Sequence, residues 1–285
     1  MTHKTSSQIK KTGLYIFLIL MAFVCLYPFF WTFINATHHT SAVYKYPPFW
    51  TFGDQLAENF RNLNETVKIS RVFVNSMIVA IIQTILTLSI ASMAGYAFAQ
   101  FEFKGKKLVF SLFLFSMMIP YQATIVSLFR LFASIDFSLL GISFGLDSYP
   151  ALILPGLCNI FAVFLMTQNM KSFPYEIIEA ARADGCNEYR IFATIVLPNM
   201  KPAIAATSIF VFMTSWNNFM WPLVITATPE MRTLPVALSS LIGFSIIDYG
   251  QVMTGITIST IPIIIFFLLM QRHFIAAVTG SGVKG

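Results

Sequence analysis

The chain has 285 residues, of which 56% are hydrophobic and only 11% are charged, with a formal net charge of +6. A water-soluble domain carries roughly 25% charged residues, so water cannot be the main solvent for this surface. An ordinary soluble globule is excluded, and an integral membrane protein is expected.

Residues 1–13 form a short basic tail with Lys4, Lys10 and Lys11, followed by an apolar run over 14–34. That run is longer than a signal-peptide core and no A-x-A cleavage pattern follows it, so it reads as a first membrane span. Residues 35–71 form a polar loop, where the pair His38–His39 reads as a solvated edge rather than a metal site. Five further apolar stretches lie within 72–274, at 72–99, 108–129, 150–168, 203–227 and 251–270. Each is long enough, or nearly so, to cross about 30 Å of hydrocarbon as a helix, the fourth being marginal at about 19 residues. Pro150 suits a first helical turn, and Pro120, Pro155 and Pro262 fall inside spans, where neighbouring polar groups can satisfy the freed carbonyls. Residues 275–285 form a C-terminal tail. Cys25, Cys158 and Cys186 have no paired spacing, so neither a disulfide framework nor a zinc site is indicated.

The basic residues orient the spans. With the N-terminus in the cytoplasm, Lys4, Lys10, Lys11, Lys104, Lys106, Lys107, Lys171, Arg182, Arg190, Lys201, Arg272 and Lys284 fall inside. Lys45, Arg61, Lys68, Arg71, Arg130 and Arg232 fall outside. This is the positive-inside asymmetry, and with six spans both termini are cytoplasmic. The net positive charge is thus topological and does not mark a nucleic-acid partner. Within the six stretches there is no Asp, Glu, Lys or Arg. A proton-coupled carrier would be expected to keep one, because an ionisable group in the bilayer costs at least about 2.5–3.5 kcal/mol and is retained for a task. Sodium coupling through carbonyls and hydroxyls stays open. Phosphate-loop, nucleophile-elbow and zinc-protease signatures are missing, so the chain carries no catalytic set of its own.

Between the fourth and fifth stretches lies "EIIEAARADGCNEYRIFATIVLP", residues 176–198, within a loop spanning 171–200. Its grammar predicts two short helices meeting at a turn. Ser172 is placed to cap the first, with Pro174 in its opening turn and Glu176 and Glu179 near its positive end. Gly185 stands where a helix takes a left-handed C′ residue, and Asn187 is placed to cap the second helix, which runs towards Pro198. Ile177, Ala180, Ala181 and Asp184 follow the spacing of one helical face, and two methyl-sized side chains there let another surface approach closely. The charges balance locally, Glu176, Glu179, Asp184 and Glu188 against Lys171, Arg182, Arg190 and Lys201. These features fit either a protein interface or an amphipathic helix on the membrane.

The spacing Glu179-Ala180-Ala181, three residues, Gly185, nine residues, Ile195, one residue, Leu197-Pro198 resembles the "EAA" loop of the membrane subunits of ABC importers. "SWNNFMWPLV" (215–224), "RTLPVAL" (232–238), "QRHF" (271–274) and the ending "GSGVKG" (280–285) are similar to the carbohydrate, maltose-type branch. "NSMIVA" (75–80), "AGYAFAQFEFKGKK" (94–107) and "MMIP" (117–120) agree with the same group. The resemblance implies an all-α polytopic membrane protein with the type I importer permease fold: six transmembrane helices and a cytoplasmic coupling helix between spans four and five. It implies a second, non-identical permease subunit, two ATP-binding subunits that hold ATP and Mg, and an extracytoplasmic sugar-binding protein. This chain would hold no cofactor or metal, and would sit in a bacterial or archaeal plasma membrane. The loop residues Glu179, Ala180, Ala181, Asp184, Gly185, Ile195, Leu197 and Pro198 would engage the ATPase.

Two more sites are expected on this resemblance. In the fifth stretch Trp216, Asn217, Asn218 and Trp221 combine amides with aromatic faces, and Asn217 and Trp221 share a face if the helix is continuous. Such a set suits a carbohydrate path, although interhelical hydrogen bonding and an interfacial aromatic belt account for the same residues. The tail residues Gly282, Val283, Lys284 and Gly285 are implied to lie along the ATPase interface; a disordered end is the simpler reading. The segment around 228–250 would face the binding protein.

Overall fold

The computed structural model describes residues 2–135, 137–139, 141–243 and 247–280. The chain divides into two compact units, Met1–Ile69 with Leu238–Ile261 and Ser70–Ala237 with Pro262–Gly285. Nearly all of the regular structure is helical; one antiparallel two-residue ladder pairs β1 (Ser138–Leu139) with β2 (Ile142–Ser143).

The first unit contains α1 (Thr2–Ala36), a 3-10 turn at Thr40–Tyr44 and α2 (Leu56–Val67). The buried Asn59 of α2 donates through Nδ2 to the carbonyls of Ala36 and His38, 2.9 Å each, and so fixes the end of α1. These are carbonyls that a helix end leaves without an internal partner. Asp248, in the same unit, stands at the start of the last helix. It accepts hydrogen bonds from the Gln251 amide (3.2 Å), Gln251 Nε2 (2.9 Å) and the Thr40 hydroxyl. Burial pushes this carboxyl up, but the bonds from Thr40 and Gln251 outweigh it and hold the pKa below the usual carboxylate range.

The second unit runs from α3 (Ile69–Gln100) through α4 (Lys106–Ser116), α5 (Tyr121–Ala133), α6 (Tyr149–Leu157) and α7 (Ile160–Lys171). It continues with α8 (Tyr175–Ala183), α9 (Glu188–Arg190), a π-helical segment at Ile191–Val196, α10 (Leu197–Asn199), α11 (Lys201–Trp216) and α12 (Met220–Ile225). Then come α13 (Leu234–Ile242) and α14 (Tyr249–Gly280), both of which pass from one unit to the other. Helix α7 packs on α4 and α11, and α12 packs on α5 and α6. The crossing of α3 and α7 is close because Gly95 has no side chain: a Cβ there would lie 2.8 Å from the Met166 Cβ.

Among the described residues, three continuous helices are long and apolar enough to cross a membrane, Lys10–Ala36, Ile69–Gln100 and Tyr249–Arg272. The third, fourth and fifth stretches, expected as single spans, are broken. Lys106–Ser116 and Tyr121–Ala133 meet at 96° and Tyr149–Leu157 and Ile160–Lys171 at 43°, while Glu188–Asn199 and Lys201–Trp216 meet at 80° around Met200, ahead of the expected fifth stretch. Each bent pair taken as one span brings the number to six. The breaks have identifiable causes. Pro120, extended at φ −63° and ψ 127°, begins α5 and has no amide hydrogen to continue α4. Asn159 caps α7 by accepting from the Ala162 amide at 2.9 Å, so a new helix starts there in place of the old one. The expected fifth stretch over 203–227 also stops at Trp216 and resumes at Met220.

Among the described residues, apolar side chains of this unit gather into cores. One gathers Tyr96, Met166, Met170, Ile178, Ala181 and Ile191 among others, and another gathers Val79, Phe132, Ile153, Trp221 and Ile225.

Candidate functional site

The segment 171–200 folds as two helical pieces around Gly185. Ser172 does not cap α8; it closes α7, its hydroxyl donating to the Asn169 carbonyl at 2.6 Å, and the extended Pro174 precedes α8 instead. The two-residue offset arises because α7 runs on to Lys171 and takes Ser172 into its own terminus. Gly185 has φ +80°, and the Gly185 amide donates to the Arg182 carbonyl while the Cys186 amide donates to Ala181, 3.0 Å each. That pair of bonds is the Schellman ending of a helix, which needs the left-handed residue that glycine supplies without strain. Asn187 caps the second piece, accepting from the Arg190 amide at 2.9 Å. After α9 the chain widens into the π-helical turn, where the Leu197 amide reaches back to the Phe192 carbonyl. A π turn accommodates the extra length ahead of Pro198, which begins a helical piece without an amide of its own.

The expected small-residue face is split. Ala181 and Ile178 turn inward and are buried, while Ile177, Glu179, Ala180, Asp184 and Gly185 are exposed. Of the distal positions Ile195 and Leu197 are half-buried and Pro198 is exposed. Ala181 is therefore small for the packing of α8 on the π-helical segment beneath it, and the outward face is formed by Glu179, Ala180 and Asp184.

A polar brace holds this face. The Arg182 Nε donates to Glu188 Oε1 at 2.6 Å, its Nη1 donates to the Tyr175 hydroxyl at 3.0 Å, and its guanidinium lies over the Phe101 and Tyr175 rings. The Tyr96 hydroxyl, from α3, donates to Glu188 Oε2 at 2.8 Å. One carboxylate thus joins α8 and α9 across the Gly185 turn and ties both to α3. The bond to Glu188, working against partial desolvation, holds the Arg182 guanidinium charged beyond even its ordinary range. Tyr96 and Glu188 are not apparent as partners in the sequence. Arg182 and Glu188 are six residues apart, a spacing no single helix brings together.

At the other end of α3, Asn75 is fully buried and its Nδ2 donates to the carbonyls of Glu230 and Arg232 at 2.8 and 2.9 Å, while its Oδ1 accepts from Tyr149. Ser76 accepts from the Leu234 amide at 2.7 Å. Asp147, at a left-handed φ of 57°, accepts from the amides of Ala227 and Thr228 and from the Thr228 hydroxyl. Asn75 and Tyr96 are 21 positions apart on one continuous helix, about 31 Å at 1.5 Å per residue. The clamped loop around 228–234 and the braced loop around 182–188 are thus separated by roughly the thickness of a bilayer core.

The four residues expected on a carbohydrate path do not form one face. The helix ends at Asn217, which is exposed and donates to the Met213 carbonyl at 2.9 Å; Asn218 is half-buried in the break. Trp216 is 2% exposed, stacked on Phe212 and edge-on to Phe73. Trp221 is 1% exposed and its Nε1 donates to the Ala151 carbonyl at 2.8 Å. Both indoles are therefore occupied in packing, and the i, i+4 relation of Asn217 and Trp221 is lost in the break between α11 and α12. Gly282, Val283, Lys284 and Gly285 lie outside the described residues. Among the described residues, no group of three or more His, Cys, Asp or Glu side chains is placed to hold a metal ion.

Residues 88–280, which contain the helix breaks and the braced turn, match the family described as binding-protein-dependent transport system inner membrane component. The chain belongs to this family. It is 35% identical over 267 residues, 94% of each chain, to the lactose transport system permease protein LacG of Rhizobium radiobacter. It is 39% identical over 213 residues to the arabinooligosaccharides transport system permease protein AraQ of Bacillus subtilis (strain 168), covering 75% of this chain and 73% of that one. To the sn-glycerol-3-phosphate transport system permease protein UgpE of Yersinia pestis it is 30% identical over 275 residues, covering 94% and 95%. Its fold is similar to a chain in the crystal structure of a bacterial ABC transporter involved in the import of the acidic polysaccharide alginate. The TM-score is 0.77 with 22% identity, covering 94% of this chain and 98% of that one. The chain is thus a permease subunit of the ABC importer type, and an ion-coupled carrier is set aside.

Proposed function

We propose that the chain is one of two non-identical permease subunits of an ATP-driven importer for a sugar or oligosaccharide. The observation that carries this reading is the near full-length similarity to permeases named for lactose and, over three quarters of the chain, for arabinooligosaccharides. Two ATP-binding subunits holding ATP and Mg dock on the segment 171–200 from the cytoplasm, and an extracytoplasmic sugar-binding protein delivers substrate to the opposite side. Six spans with both termini inside, in a bacterial or archaeal plasma membrane, complete the arrangement; the positive-inside distribution and the separation of the two loops along α3 support it.

In this reading Glu179, Ala180, Asp184 and Gly185 present the docking face, Ala181 packs it onto the subunit, and Ile195, Leu197 and Pro198 lead from the docking helix into α11. ATP-driven closure of the ATPases moves α8, and the Arg182–Glu188–Tyr96 brace passes that movement to α3, which reaches the far side of the membrane. Asn217 and Asn218, both at the break in the fifth stretch, line the substrate path, while Trp216 and Trp221 shape it from behind. Gly282, Val283, Lys284 and Gly285 extend towards the ATPase interface.

The test is ATP-driven uptake of labelled saccharides by the assembled importer in vesicles. Glu179→Lys reverses charge on the exposed face and is expected to abolish uptake while the chain still inserts. Unchanged uptake with full recovery of the ATPase would remove the docking assignment. Uptake that is blind to every saccharide, but saturable by another solute, would remove the substrate class.

A further inference from the structure

We propose that the cleft between the end of α3, the start of α4 and the end of α7 binds the headgroup of an anionic phospholipid. The cleft has a volume of about 340 Å³ and is lined by Lys106, Lys107 and Lys171 with Glu102, over a floor that includes Phe98 and Phe110. Three ammonium groups face one carboxylate, leaving a net charge of +2. Glu102 is engaged by Lys106, whose Nζ is 2.8 Å from Glu102 Oε1 and also donates to the Phe101 carbonyl. Lys171 lies over the Phe110 ring at 5.3 Å, and neither it nor Lys107 has a carboxylate within ion-pair distance among the described residues. Glu102 also attracts Lys107, but one carboxylate shared by two lysines leaves Lys171 and part of the Lys107 charge to attract an anion beside the apolar wall.

The surroundings distinguish a lipid from a free phosphate. Phe110 and Phe113 follow Lys106 at i+4 and i+7 on the cleft side of α4, both rings packed on Phe98, and Phe113 is 38% exposed. They form an apolar track leading away from the charged cleft, as an acyl chain requires, whereas inorganic phosphate would use only the lysines. Lys171 opens the segment that leads to α8, so the cleft lies at the same membrane face as the braced loop. Basic pockets at that face, between helices, take anionic headgroups.

The experiment is native mass spectrometry of the purified full chain titrated with dioctanoyl phosphatidylglycerol, dioctanoyl phosphatidylcholine or inorganic phosphate. The glycerol lipid is expected to bind at a defined stoichiometry and the choline lipid at least about tenfold more weakly. Each lysine near a surface contributes on the order of 1 kcal/mol, so Lys107→Gln with Lys171→Gln should weaken the anionic lipid about tenfold or more. Glu102→Gln should tighten it, an opposite sign that a folding defect cannot mimic. Equal binding of the two lipids, or no change in the lysine double variant, would overturn the proposal. Displacement of the bound lipid by millimolar phosphate would assign the lysines to a soluble anion and overturn it equally.

Discussion

Single residues decide the shape of the segment 171–200. Gly185 has open space where a Cβ would stand, so its role is conformational: only its φ of +80° resists substitution. Gly185→Ala is expected to destabilise the turn by about 1–2 kcal/mol, and Gly185→Asn by less, read as thermal unfolding of the purified chain in detergent. Equal unfolding of the two variants would show that the backbone conformation is not the constraint. Glu188 is the other decisive position, since it receives both Arg182 and Tyr96. Glu188→Gln removes the charge that pairs with Arg182 and leaves the shape. We expect uptake by the assembled importer to fall roughly fivefold while the ATPase still co-purifies, because a charge-assisted bond is exchanged for a weaker neutral one. An ATPase that detaches from this variant would mean that the brace shapes the docking face and does not pass movement onward. Tyr96→Phe should act in the same direction with smaller effect, losing one neutral donor.

At the scale of elements, the expectations followed local chemistry where local chemistry suffices. The C′ glycine, the Asn187 cap and three of the six apolar helices need only neighbouring residues, and each of these is found in place. The Ser172 cap failed because α7 competes for the same residue, and the single-helix reading of 203–227 failed because Asn217 ends α11. Periodicity cannot foresee either event: the apolar content continues across the break, and only packing shows where the chain turns. The close crossing at Gly95 gives a prediction of this scale. Gly95→Leu should force α3 and α7 apart, costing about 1–3 kcal/mol and lowering recovery of folded chain, whereas Gly95→Ala should cost less. The clamped loop gives another. Asn75→Ala leaves the carbonyls of Glu230 and Arg232 without their donor, so limited proteolysis in the 228–234 segment should become faster. An unchanged cleavage rate would show that Asp147 and Ser76 hold the loop unaided.

For the whole molecule, the orientation of the two loops is a prediction that labelling tests. Single cysteines at Ser172 and Thr228, in a chain whose own three cysteines are replaced, should react from opposite sides of sealed vesicles. Reaction of both from one side would overturn the topology. Among the described residues, the side chains of the most apolar window of α1 are exposed. Burial of Trp216 and Trp221, in contrast, is complete within this subunit and leaves no indole face for a ligand.

By itself the sequence determined the solvent, the positions of the apolar stretches and the turn at Gly185, because hydrophobic content, charge asymmetry and glycine conformation act locally. The spaced Glu179–Pro198 pattern also pointed to a family, which the full-length comparisons established. Tertiary structure alone decided which alanine of the loop faces outward, which partners Arg182 and Asn75 find, and where three of the apolar stretches bend. Those are contacts between residues far apart in the chain, and they depend on the approach of whole helices, which no local period encodes.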